Sequence, residues 1–274
     1  MKKEIIGITG ASGVLGQYFI KKYKNYYYDI FKGDIRNDKD VKTWIEKTKA
    51  SYIFHFASKV STHYVKNNYN KSLDVNFIGT KNLINNIITS NKNIWFFFAS
   101  SSHVYKSKNK KLKETDEAKP MTLYGKTKIK AENYLQKTMI KYKNICIGRI
   151  FSFTHKKQEL PYLIPSLFKK INHYKKNIFL ENLNHDRDFC HLDDVCSAIN
   201  LLKKKSCKGV YNIGSGKETN LFKIVKLINK NNRKIDYKKN YIKSSLIADI
   251  SKLRKIGFKP KFGIKKIISD FYKT

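Results

Sequence analysis

Thr9-Gly10-Ala11-Ser12-Gly13-Val14-Leu15-Gly16 follows directly on the apolar run Ile5-Ile6-Gly7-Ile8. The order is a buried strand, a glycine-punctuated turn, then a segment with helical character. A helix that starts this way can hold a pyrophosphate, because its unpaired backbone N–H groups and its dipole both favour an anion. Gly10 permits the tight turn, Gly13 lets the backbone approach phosphates, and Gly16 lets helix and strand pack closely. The same glycine spacing also describes an ordinary strand–helix turn. Its place near the start of the chain, and the residues further along, give it meaning.

Working outward, strand and helix patterns alternate through the first 150 residues, which predicts βα units and a parallel sheet. Strands are expected at 4–9, 26–31, 52–56, 94–99 and 145–150, and helices at 14–24, 38–48, 73–90 and 124–142. Val41, Trp44 and Ile45 share one face of the second helix. The stretch 94–99 is apolar throughout, as a strand buried on both faces requires. After Arg149 the pattern loosens, and Pro161 and Pro165 interrupt it. Short helices near 194–203 and 221–229 and a strand at 209–213 describe a smaller mixed lobe. The expected organisation is therefore a domain over 1–150 and a lobe over 151–274, open to interleaving.

The chain has 274 residues, enough to bury a large core, and a net charge of +36. Basic surfaces attract phosphates, so a nucleic-acid partner has to be weighed. The lysines are scattered over the whole length and accompany an excess of Asn, Ile, Tyr and Phe, a bias of overall residue usage. No RNA-binding or helix-turn-helix signature appears, and a solvated basic surface with no nucleic-acid partner is the preferred reading. Its field would speed capture of a small anionic substrate. Four cysteines, none in a C-x-x-C pair, are too few for a disulfide framework. Cys190, His191 and Cys196 lie close together, but no metal is expected there. No stretch approaches the roughly 18 apolar residues that span a bilayer, so no membrane insertion is expected. Met1-Lys2-Lys3-Glu4 leads straight into the first strand rather than a signal peptide, which points to the cytoplasm.

Tyr124-Gly125-Lys126-Thr127-Lys128 places a tyrosine and a lysine one helical turn apart on the same face. A phenol with a pKa near 10 shuttles protons poorly at neutral pH, and a nearby ammonium lowers that value. Such a pair also arises as ordinary surface residues. Here it follows a dinucleotide-type turn and a Ser100-Ser101-Ser102 cluster at a strand end, where sites on open α/β sheets form.

Taken together these residues resemble the extended short-chain dehydrogenase/reductase family, in particular its NAD(P)-dependent nucleotide-sugar epimerases, dehydratases and reductases. The resemblance runs over nearly the whole chain. It includes Gly33-Asp34-Ile35-Arg36, His55-Phe56-Ala57-Ser58, Asn76-Phe77-Ile78-Gly79-Thr80 and Ser100 to Tyr105. Further on it takes in Tyr124 to Lys128, Arg187-Asp188-Phe189, Asp193-Asp194-Val195 and Tyr211 to Gly216. It implies a Rossmann-like doubly wound parallel sheet with a smaller mixed substrate-binding lobe towards the C-terminus. It also implies site residues. Tyr124 would be the general acid/base, Lys128 would bind the nicotinamide ribose and tune Tyr124, and Ser101 would hydrogen-bond the reacting oxygen. The cofactor, NAD or NADP, would lie on Gly10, Ser12, Gly13, Val14, Leu15 and Gly16, with Asp34 and Ile35 at the adenine. Phe56, Ala57 and Ser58 would line its pyrophosphate and ribose. Ser102, His103, Ser152 and Arg187 would meet a nucleotide-diphosphate sugar, Arg187 through its diphosphate. A homodimer pairing the two long helices at 73–90 and 124–142 is implied as well.

The chain departs from the family pattern at several positions. Gly16 to Asp34 is short, so the usual second and third strands merge. Asp29 is a poor partner for an adenosine 2′-hydroxyl, and Lys32 could favour a 2′-phosphate. Dehydratases of the family carry Asp-Glu where this chain has Ser102-His103, which argues against water elimination. Ser152 stands where an asparagine is usual. His103 is either a second acid/base or a partly buried ring beside Tyr105, and His55 reads as a core histidine. Arg187 could instead pair with Asp186 or Asp188, and Asp193 and Asp194 are expected to cap the next helix. The leading expectation is an oxidoreductase reducing a 4-keto sugar on a nucleotide diphosphate. The alternatives are a 4-epimerase with the same residues and, more remotely, a silent dinucleotide fold that binds RNA or regulates.

Overall fold

A computed structural model of the chain describes residues 4–158, 160–173, 178–181, 183–238 and 243–272. Met1-Lys2-Lys3, read above against a signal peptide, lie outside the described residues. The first half alternates as the patterning requires. β1 (Ile5–Thr9), α1 (Val14–Lys22), β2 (Tyr27–Ile30), α2 (Asp38–Lys47) and β3 (Tyr52–His55) come first. Next is α3 (Thr62–Asn67), then one continuous helical stretch made of α4 (Tyr69–Leu73), a π-helical turn (Asp74–Ile78) and α5 (Gly79–Thr89). β4 (Trp95–Ser101) runs into a 3₁₀ turn (Ser102–Val104), and α6 (Leu123–Thr138) and β5 (Ile145–Ile150) follow.

The second half holds shorter elements. They are β6 (Ser152–Thr154), α7 (Leu163–His173), β7 (Ile178–Leu180), β8 (His185–Arg187), β9 (Phe189–His191), α8 (Leu192–Lys204) and β10 (Gly209–Ile213). β11 (Thr219–Asn220), α9 (Leu221–Ile228), β12 (Ile235–Tyr237), β13 (Ser244–Leu246), α10 (Ser251–Lys255) and α11 (Ile264–Ser269) complete it. Pro165 does not interrupt the chain as expected. It sits in the first turn of α7, where the N–H it lacks has no intrahelical acceptor anyway.

Two compact units result. The first contains the chain up to Lys106, Glu117–Ile150 and Cys196–Tyr211; the second contains Ser107–Asp116, Phe151–Val195 and the chain from Asn212 onward. The first unit is built on a six-stranded sheet of order β10-β5-β4-β3-β1-β2. β1 pairs in parallel with both β2 and β3, β3 with β4, and β4 with β5. β2 alone stands on the far side of β1, which is what the short Gly16–Asp34 segment allows.

The alternation of β4 shows how both faces are covered. Phe96 and Phe98 join Val41, Ile45, Leu83, Ile84 and Leu135 beneath α2, α5 and α6. Trp95 and Phe97 point to the other face, where Phe54 meets Phe19 of α1 with ring centroids 5.0 Å apart. α8 closes that face, with Tyr26 Oη donating to Asn200 Oδ1 at 2.8 Å. Burying aromatic surface on both sides leaves β4 fully enclosed, with all seven residues buried. In the second unit, α7, α9 and α11 pack around Ile164, Ile171, Ile224, Ile228 and Ile267.

Candidate active site

The sheet order reverses between β1 and β3, because β1 is followed by β2 on one side and β3 lies on the other. Open α/β sheets bind ligands at such a switch point, outside the carboxyl ends of the strands. Gly10 has φ +73°, and a Cβ there would lie 2.4 Å from the Ala57 nitrogen. Only glycine lets the turn after β1 lie against the segment after β3. Gly13 N-caps α1 with no side-chain hydrogen bond and no acidic residue in the first turn, so no carboxylate of that turn competes for its N–H groups. Ser12 is exposed and its carbonyl accepts from Gln17 Nε2, Val14 is half-buried, Leu15 is buried in the core, and Gly16 faces the Gly10 carbonyl.

A cavity of about 600 Å³ opens here, lined by Gly10, Ala11, Ser12, Asp34, Ile35 and Ala57 together with basic side chains. Ile35 is otherwise a core residue at 6% exposure. Phe56 packs its ring towards Phe19, Phe54 and Phe97. His55 is the satisfied core histidine expected: its ring nitrogens meet Thr9 Oγ1 at 2.6 Å and Thr80 Oγ1 at 2.9 Å. Burial, helped by the nearby Lys128 charge, pushes its pKa down to about 3. Asn76, on the π-helical turn, accepts from Ser58 Oγ and Lys59 N and donates to Lys59 O and Thr127 Oγ1. It ties the 58–59 loop to α6. The motif Asn76–Thr80 was visible in the sequence, but this role depends on a π turn that no local pattern announces.

β4 ends at Ser100 and Ser101, and the 3₁₀ turn that follows lies against the start of α6. A Cβ on Gly125 would fall 2.1 Å from the His103 carbonyl oxygen, so this glycine, not singled out in the sequence, sets that approach. Thr122 N-caps α6 by accepting from Gly125 N at 3.0 Å. The His103 ring stands edge-on to Tyr124 with centroids 5.6 Å apart, and its Nδ1 is 3.3 Å from Thr122 Oγ1. Ser101 Oγ accepts the His103 N–H at 3.2 Å, and Ser102 is 3% exposed.

Tyr124 is 6% and Lys128 2% exposed. Lys128 Nζ donates to Ala99 O at 2.8 Å and stands 4.7 Å over the Phe98 ring. Burial pushes its pKa down from 10.5 to about 7, against the opposing pull of Glu132. Beneath lies a buried network absent from the sequence reading. Glu132 takes Arg149 Nε at 3.0 Å and Nη2 at 2.7 Å and accepts from Ser100 Oγ. Arg149 Nη1 donates to Tyr105 Oη at 2.8 Å. Its sequence signal was weak: a glutamate one further turn along the Tyr124–Lys128 face.

The lowered Lys128 pKa has a stability consequence. The unfolded chain holds this proton up to its ordinary pKa of 10.5, whereas the folded chain releases it near 7. Stability therefore rises as pH climbs from about 7 towards 10.5, and the full cost of a buried ammonium is felt below 7. Urea unfolding at about pH 6.5 and about pH 9 should show wild type gaining on Lys128→Met at the higher pH. A difference that does not move with pH would contradict the shift.

The remaining substrate candidates lie in the second unit. Ser152 is half-buried on β6 opposite Phe189. Arg187, on β8, donates to Asp186 O, Ser244 O and Ser244 Oγ. The side-chain ion pair considered for it does not form. The Asp188 carboxylate accepts from Ser215 N and Oγ and from Gly216 N, and Asp186 pairs with Lys243 at 2.8 Å. Among the described residues no carboxylate pairs with this guanidinium, and burial lowers its pKa despite Asp186. Asp193 and Asp194 lie inside the first turn of α8 rather than at its cap. Asp194 instead accepts the backbone N–H groups of Lys261 and Phe262, because its side chain turns into the unit's core. Among the described residues no group of His, Cys, Asp or Glu has the arrangement of a metal site, and no helix is long and apolar enough to cross a membrane.

A parallel sheet with a glycine turn at its switch point, and a Tyr-x-x-x-Lys helix packed on the end of β4, define an enzyme of the extended short-chain dehydrogenase/reductase type. Residues 19–271 match the family described as GDP-mannose 4,6 dehydratase, and the chain belongs to it. The GDP-6-deoxy-D-talose 4-dehydrogenase of Aggregatibacter actinomycetemcomitans is 26% identical over 288 residues, covering 97% of this chain and 96% of that one. The UDP-glucose 4-epimerase of Mycoplasma genitalium is 27% identical over 295 residues, covering 96% and 86%. In fold, the chain is similar to RMD from Pseudomonas aeruginosa complexed with NADPH, with a TM-score of 0.87, 19% identity, and 98% and 97% coverage.

Proposed function

We propose that this enzyme reduces a 4-keto (deoxy)sugar carried on a nucleotide diphosphate, using NAD(P)H. The observation that carries the reaction class is the burial of Tyr124 and Lys128 on one face of α6, with Lys128 anchored to the end of β4. The turn at Gly10, the start of α1 with no side-chain cap and the adjoining cavity suit a dinucleotide. When bound, the reduced nicotinamide supplies a hydride to the carbonyl carbon. Tyr124 Oη gives its proton to the carbonyl oxygen, and the Lys128 ammonium lowers the cost of the phenolate that remains. Ser101 Oγ, which accepts from His103 N, keeps its own O–H to donate to the same oxygen. Arg187, with no carboxylate paired to it among the described residues, is suited to the substrate diphosphate.

Ser102-His103 in place of the family's Asp-Glu supports reduction over dehydration, and so does the likeness to a 4-dehydrogenase. The enzyme is read as cytoplasmic, and its four cysteines are buried in the fold. Homodimer formation through the helical stretches 73–90 and 124–142, where Phe77 of the π-helical turn and Tyr134 of α6 line a shallow apolar pocket, belongs to the same reading and is open to sedimentation.

Turnover of purified enzyme with a nucleotide-linked 4-keto sugar tests the reaction. The expected result is oxidation of about one reduced nicotinamide per sugar consumed. The likeness to a UDP-glucose 4-epimerase favours a second reading. A tightly held NAD that is not consumed while the sugar's C4 configuration inverts would establish that reading and overturn the first.

A further inference from the structure

β2 ends at Ile30 and leads into Phe31-Lys32-Gly33. At this place on a doubly wound sheet an acidic side chain takes the adenosine 2′-hydroxyl of NAD, or a basic one takes the 2′-phosphate of NADP. Asp29, Asp34, Asp38 and Asp40 are the acidic residues of the 29–40 stretch, and each is already engaged. Asp29 accepts from Trp44 Nε1 at 2.9 Å and from Thr48 Oγ1, so it points towards α2. Asp38 accepts from Asn86 Nδ2, and Asp40 accepts the Asp34 N–H at 2.9 Å. Asp34 is gripped by Arg36 through Nε and Nη2, the closest contact being 2.6 Å. That pair leaves Nη1 of Arg36 for another acceptor.

The cavity beside them carries the opposite sign. Lys32, Arg36, Lys59 and Lys71 line it, and Asp34 is the one carboxylate among its lining residues. Asp74 lies within electrostatic reach of Arg36 but not on the cavity wall. Among the described residues lining the cavity, a 2′-hydroxyl would therefore find no unengaged carboxylate to accept its hydrogen bond. A phosphate dianion would find an ammonium and a guanidinium able to form short, charge-assisted hydrogen bonds.

We propose that the enzyme takes NADP(H) in preference to NAD(H), with Lys32 and Arg36 holding the adenosine 2′-phosphate. This inference rests on the dinucleotide-site reading above and adds the choice between its two forms. Calorimetric titration of the purified chain with NADPH and with NADH, at low and moderate salt, tests it without turnover. NADPH should bind at least about tenfold more tightly, with a gap that narrows as salt rises. Lys32→Ala should narrow the gap by loss of NADPH affinity. Arg36→Ala should do the same and also tighten NADH, since it releases the Asp34 carboxylate to accept from the 2′-hydroxyl. Equal or tighter binding of NADH by wild type overturns the inference while leaving the dinucleotide site standing. A preference that persists in the double variant overturns the assignment to these two residues. Binding of neither dinucleotide overturns the site reading and this inference together.

Discussion

Replacing Tyr124 by phenylalanine should lower turnover by on the order of 10²-fold or more, with dinucleotide affinity nearly unchanged. The substitution removes one hydroxyl from a ring held by its surroundings: the helix start is packed on the 102–104 turn through Gly125, and His103 stands against the ring. The ring volume stays, so helix and turn keep their positions. What disappears is the group that, on the proposed function, gives a proton as the carbonyl oxygen gains charge. Such a loss falls on kcat rather than on cofactor binding, because the hydroxyl is used only as the transition state forms. Steady-state kinetics with a keto sugar, beside calorimetric titration of the dinucleotide, separates the two quantities. An unchanged rate would remove Tyr124 from the chemistry. A matching fall in dinucleotide affinity would indicate a collapsed site instead.

The second large effect is on stability. Glu132→Ala should destabilise the fold by about 3–5 kcal/mol, because it leaves the Arg149 guanidinium buried without its partner. Arg149 and Glu132 are 4% and 0% exposed and joined by three hydrogen bonds of 2.7 to 3.2 Å. For a chain of this size the loss corresponds to a fall in Tm on the order of 10 °C. Removing both charges in a Glu132→Met, Arg149→Met double variant should recover part of it, since no isolated charge then remains. Urea unfolding of the three proteins measures both steps. A single variant within about 1 kcal/mol of wild type would mean the pair is not buried as described. The network also supports the site: Glu132 lies one turn beyond Lys128, and Arg149 fixes Tyr105 behind the serine cluster.

The early part of the chain was legible because its physics is local. The turn from Thr9 to Gly16 needs glycine wherever a Cβ would strike the 56–57 segment or the Gly10 carbonyl, and those requirements are written as residue types. The strand β4 announced its burial by the apolar run from Ile94 to Ala99. Pro165 misled because a proline in the first turn of a helix costs little, and only the position of the helix start tells a breaker from a starter. Asp194 misled for a related reason: an acidic residue near a helix start suits a cap, but its carboxylate is claimed by Lys261 and Phe262, far along the chain.

The sequence by itself determined the alternating sheet, the glycine turn and the one-turn spacing of Tyr124 and Lys128, since periodicity, φ freedom and helix geometry act over a few residues. Tertiary structure alone decided which charges are engaged. Asp29 is consumed by Trp44 and Thr48, and Glu132 by Arg149. A side chain's availability depends on its neighbours in space and on how far they exclude water. Those neighbours are set by the packing of the whole chain, not by the residues beside it in sequence.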